Sequence, residues 1–82
     1  MMSDTTGDRE VLDRIQGLVA EEERIFARHV KSDADLDRLK SINVALDQAW
    51  DLLRQRRALR EYGRDPSDAQ VRPPEVVEKY LG

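Results

Sequence analysis

The stretch from Leu36 to Leu59, LDRLKSINVALDQAWDLLRQRRAL, decides the fold. Read at helical spacing, it carries two apolar stripes. One heptad row runs Leu36, Leu39, Asn43, Leu46, Trp50, Leu53, and a second runs Ile42, Ala45, Ala49, Leu52, Leu59. A single partner helix covers only one such stripe. The spacing therefore predicts a helix that belongs to a bundle of three or more, made within one chain or between chains.

Working outward, a first helix is predicted from a cap at Asp8 to about Val30. Its apolar positions are Val11, Leu12, Ile15, Leu18, Val19, Ile25, Phe26 and Val30, a band wider than a two-stranded seam needs. Gly17 falls on the outer face, where it costs about 1 kcal/mol relative to Ala. The break between the helices is Lys31-Ser32-Asp33-Ala34-Asp35. Ser32-x-x-Asp35 has the form of a capping box, with Asp in the place of the usual Glu. So short a connection makes the two helices antiparallel neighbours.

The second helix is predicted from about Asp33 to Tyr62, with Gly63 as its C′ residue and Pro66 blocking continuation. Residues 63–74 read as an extended segment. Pro74 then suits the first turn of a short final helix from Glu75 to Leu81, with Val76, Val77, Tyr80 and Leu81 on its apolar side. The chain thus divides into a frayed terminus (1–7), a helical hairpin (8–62) and a tail with a short helix (63–82).

Composition narrows the options. Eighty-two residues, net charge −3 and 38% charged residues describe one small acidic domain. A chain of this size buries only about 60–65% of its unfolded surface, and small folds usually add disulfides, metals or oligomerisation. With no cysteine and one histidine, disulfides and zinc-finger chemistry drop out, and oligomerisation remains. No apolar run reaches the length of a membrane span. The start, Met1-Met2-Ser3-Asp4, has no basic and apolar signal pattern, so a cytoplasmic protein is expected.

Catalytic patterns are lacking. Glu21, Glu22 and Glu23 are consecutive and point to different faces, so they form no acid/base pair. His29 follows Phe26 at the position where a carboxylate-bundle metal site needs Glu-x-x-His. No Gly-rich loop follows a strand. The expectation is a protein that is not an enzyme and takes no cofactor or metal.

Two features interrupt the apolar pattern. Folding the hairpin about Asp33 pairs Leu39 with Phe26, Leu46 with Val19, Trp50 with Ile15, and Asn43 with Glu22. Glu22 and Asn43 both occupy heptad a positions. They form one shared hydrogen-bonded layer, which would fix register, or a snorkelling carboxylate beside an amide at a rim, or, as a third reading, they serve a ligand or metal. The other feature is a basic run, Arg54, Arg56, Arg57, Arg60 and Arg64. It suits phosphate contact, or it is a solvated helix end held by the helix dipole and by Asp4, Asp8, Glu10 and Asp13. The negative charge of the chain favours the second reading.

The run Trp50-Asp51-Leu52-Leu53-Arg54-Gln55-Arg56-Arg57-Ala58 continues through Gly63, Asp65-Pro66 and Val71-Arg72-Pro73 to Val77-Glu78-Lys79-Tyr80-Leu81. With Ile15-x-x-Leu18-Val19-x-Glu21-Glu22 it resembles the DUF2630 family, short uncharacterised proteins found mainly in actinobacteria, over about residues 8–82. The resemblance implies a single-domain bacterial cytoplasmic protein and brings no activity or site residues with it.

The expected protein is all-α: a long antiparallel helical hairpin with coiled-coil packing, an extended segment and a short C-terminal helix. Trp50 is expected to anchor the core. The second stripe is expected to be covered either by the tail or by another chain, preferably as a homodimeric four-helix bundle sensitive to Leu52→Asp. The expected role is protein–protein interaction with an unknown partner. The candidate surface is Leu52, Leu59 and the arginines 54, 56, 57, 60 and 64, with nucleic-acid binding through the arginines as the alternative.

Overall fold

The computed structural model of the chain describes the backbone of residues 3–75 and side chains from residue 7 onward. Two helices dominate: α1, Ser3–Phe26, and α2, Asp33–Glu61, followed by a single 3-10 turn, Pro66–Asp68. No strand occurs among the described residues. The fold is all-α, an antiparallel hairpin. The final helix expected over 75–81 lies outside the described residues apart from Glu75.

The turn forms as its sequence dictates. The Ser32 side chain accepts from the Asp35 amide at 3.1 Å, and the Asp35 carboxylate accepts from the Ser32 amide at 3.0 Å. That is a complete capping box, and it satisfies two of the donors a helix start leaves open. Before it, Lys31 donates to the carbonyls of Arg28 and Phe26 at 3.1 and 3.4 Å. These bonds close α1 at Phe26, four residues short of the expected end at Val30, which stays exposed.

The start of α1 also differs from expectation. Ser3–Gly7 continue the helix, ahead of the cap expected at Asp8. The reason is that Asp8 does not cap: its carboxylate reaches across to α2. At the far end of α2, Gly63 takes φ 73°. Its amide donates to Arg60 O, and the amide of Arg64 donates to Leu59 O at 2.8 Å. This is a Schellman ending, in which glycine accepts a left-handed conformation that a side chain would strain.

The core is narrow. Ile15, Leu18, Ile25, Ile42 and Ala49 are the buried hydrophobic residues among those described, and Ile42 has no exposed surface. Leu39, Ala45 and Leu46 pack against Leu18, Ile25 and Ile42. The second stripe therefore faces α1 through Ile42 and Ala49. The first stripe turns away at Leu36, Asn43 and Trp50, which are exposed. Trp50, expected as a core anchor, keeps 50% of its surface open. Small alanines at 45 and 49 let the helices approach closely, and spacing between helices follows the side chains at the contact. An indole does not fit that centre and takes the edge.

Candidate interaction surfaces

One end of the hairpin is held by ions. Asp8 accepts from Arg56 Nε at 2.6 Å and from Arg60 Nη2 at 2.7 Å. Arg56 is only 7% exposed, and it also donates to Pro66 O at 3.3 Å. One guanidinium thus joins α1, α2 and the turn after α2. Gly7 makes room for it: a Cβ there would come within 2.6 Å of Arg56 Cζ. Burial pushes the Asp8 carboxyl up, but the hydrogen bonds and charges of Arg56 and Arg60 outweigh it and hold the pKa below the usual carboxylate value.

The tail folds back in cis along α2. Gln48 Nε2 donates to Arg72 O at 3.0 Å. Gln55 Nε2 donates to Gln70 O at 2.7 Å, and Gln55 Oε1 accepts from the Gln70 amide at 3.3 Å. Asp51, 4% exposed, accepts from Gln55 at 2.8 Å and pairs with Arg72 at 3.4 Å. Val71 lies with Val11, Ala45, Ala49 and Leu52 around a cavity of about 130 Å³ between the helices. The tail thus covers Leu52. Nearer the turn the same side carries ion pairs: Arg38 forks onto Glu21 at 2.6 and 2.7 Å, and Arg28 pairs with Asp35.

Among the described residues the opposite side is apolar and open. Leu12, Val19 and Phe26 follow one another at seven-residue intervals on α1, and Leu36, Asn43 and Trp50 do so on α2. Each row lies about a quarter turn from its helix's core line in the direction of chain advance. In antiparallel helices that displacement brings both rows to the same face. Leu12, Phe26, Leu36 and Trp50 are all exposed there, and Val19, Leu46 and Leu53 are half-buried beneath them. Phe26 is 57% exposed, with Lys31 Nζ over its ring at 6.0 Å.

The residues singled out from sequence fare unevenly. Arg56 is buried in the Asp8 lock and is no surface residue; Arg60 shares that lock. Arg54, Arg57 and Arg64 are exposed. Leu52 lies under the tail, and Leu59 lines a depression of about 420 Å³ with Ala58, Tyr62 and Arg64. Asn43 is exposed and Glu22 half-buried. No hydrogen bond joins them among the described residues, so the buried polar layer does not form within one hairpin. Of the two covers expected for the second stripe, the tail runs beside Leu52, with Val71 on the same cavity. The sequence reading missed Gln48, Asp51 and Gln55 as the dock for the tail. Their spacing, flanking Leu52 on one side of α2, is the signal that marks them.

Among the described residues no group of three or more His, Cys, Asp or Glu could hold a metal ion. No helix there is long and apolar enough to cross a membrane.

The family model described as protein of unknown function, DUF2630, matches residues 7–82. Similar chains include uncharacterised proteins of Mycobacterium bovis and of two Mycobacterium tuberculosis strains. Each is 49% identical over 79 residues, covering 92% of this chain and 91% of the relative. No solved structure matches.

Proposed function

The chain belongs to the DUF2630 family, and from that premise we propose that it is a non-catalytic protein–protein interaction module of the cytoplasm, working through the open face of the hairpin. The observation that carries the reading is the gathering of Leu12, Phe26, Leu36 and Trp50 on one side, all exposed. Contiguous apolar surface is expensive to leave in water, and on small domains it marks interaction sites. The absence of cysteine is in keeping with a reducing compartment.

The test is capture from native lysate by tagged full-length protein, with nuclease present, comparing wild type with Leu36→Lys. Both substituted and native side chains at this position reach solvent, so the fold is kept. Protein capture that survives nuclease and weakens in the variant supports the reading. Equal capture by both contradicts it.

The alternative is a nucleic-acid role for the arginine run, favoured by the exposure of Arg57 and Arg64. It predicts affinity falling steeply with salt, whereas apolar docking is far less sensitive. The engagement of Arg56 and Arg60 by Asp8 leaves that reading a smaller basic surface than the sequence suggests.

A further inference from the structure

We propose that the occupant of the open face is a second copy of this chain, docked antiparallel about a two-fold axis that passes beside Trp50, so that two hairpins form one four-helix bundle. The proposal rests on the reading that this face binds protein, and it adds which protein.

Stability is the first argument. Among the described residues five hydrophobic side chains are buried, a thin core for a small domain without cysteine, and oligomerisation is a usual remedy. Laid together in that register, two such faces cover Leu12 and Trp50 together with Val19, Leu46 and Leu53, and convert a two-helix layer into a two-layer core.

Exposure is the second argument: Leu12 and Trp50 keep 42% and 50% of their surface open on the side of the hairpin away from the tail.

Charge order is the third, and it selects the arrangement. With the axis beside Trp50, antiparallel docking brings Asp47 of one copy level with Arg54 of the other. Lys40 comes level with Glu61. On α1, Arg9 comes level with Glu22 and Glu23. Each opposite-charge pair occurs twice, as an isologous interface requires. Moving the axis one helical turn toward the hairpin turn sets Lys40 against Arg54. Parallel docking sets Arg9 against Arg54 and Arg57. The rim charges therefore favour this register and oppose both of these alternatives. The small surface energy of each pair suits a role in register.

The experiment is sedimentation of the purified full chain over a concentration series. Wild type is expected at twice the chain mass at micromolar concentration, and Trp50→Glu at the chain mass with its helix signal retained. Charge variants test the register without touching the apolar face. Lys40→Glu should weaken dimerisation about three- to tenfold, and Lys40→Glu with Glu61→Lys should restore it. These variants decide the question even where Trp50→Glu loses helix. A wild-type monomer at every concentration overturns the proposal, as does a charge swap that fails to restore the dimer. A wild-type monomer that still captures a different protein through Leu36 overturns only the second copy and leaves the surface reading intact.

Discussion

Asp8, near the start of α1, holds Arg56 at 2.6 Å and Arg60 at 2.7 Å on the last two turns of α2. This contact joins residues 48 and 52 positions apart in the chain and closes the end of the hairpin opposite the turn. Asp8→Asn should lower stability by about 1–3 kcal/mol, because a nearly buried guanidinium loses an anionic partner. Thermal unfolding of wild type and variant side by side measures this.

The same contact makes the fold acid-sensitive. The Asp8 pKa lies below its ordinary value of 3.8. So do those of Glu21, held chiefly by Arg38, Asp35, held by the Ser32 amide, and Asp65, held by the Ser67 amide. A carboxyl depressed in the folded state contributes stability that is fully present above its unfolded pKa and lost as pH falls through the folded one. Stability from these groups should therefore be level from neutral pH to about pH 5 and decline below about pH 4. A urea titration repeated at several pH values checks the window, and Asp8→Asn should flatten part of the decline.

Two glycines in one helix should respond in opposite directions. A Cβ at Gly17 meets nothing within 4 Å, and the site is mid-helix, so Gly17→Ala should stabilise by about 0.5–1 kcal/mol. Gly7→Ala places its methyl against the Arg56 guanidinium and should destabilise by displacing that side chain from Asp8. The melting temperatures of the two variants test the contrast.

Ile42 and Trp50 should trade the roles that size suggests. Ile42 is fully buried, so Ile42→Ala should cost about 2–4 kcal/mol. Trp50→Ala should cost the isolated hairpin less, despite the larger side chain, because half of the indole is already in water. Unfolding at concentrations low enough to keep the chain monomeric separates the two.

The arginine run needs a different probe from the one its sequence suggests. Arg56→Glu would break the lock and unfold the end of the hairpin, so loss of binding in it says nothing about contact. Arg57→Glu with Arg64→Glu changes exposed charge alone. Retained folding with unchanged partner capture is the expected outcome; lost capture would favour the nucleic-acid reading.

The hairpin was legible in the sequence because its signals are local. Ser32 and Asp35 make a capping box by spacing, and Gly63 marks a left-handed ending. The two stripes on α2 were also visible. Their assignment was not, because rotation of α2 about its own axis depends on which facing side chains pack closest. Ala45 and Ala49 settle that choice only when seen against Leu18 and Ile25. The Asp8 lock was half visible, as acids expected near the arginines. That one of those arginines is buried depends on Pro66 and Gly7, residues distant in sequence. The tail's dock on Gln48 and Gln55 uses polar residues that periodicity leaves out.

The single tryptophan of the chain reports directly on whether a second copy closes the open face. Trp50 sits in the middle of the open face, so its fluorescence reports whether that face is covered. On concentrating the purified chain, the emission maximum should shift to the blue and protection from acrylamide should grow, both reversed by dilution. Emission and quenching of a half-exposed indole, unchanged from the lowest to the highest concentration, would contradict closure of this face by a second copy.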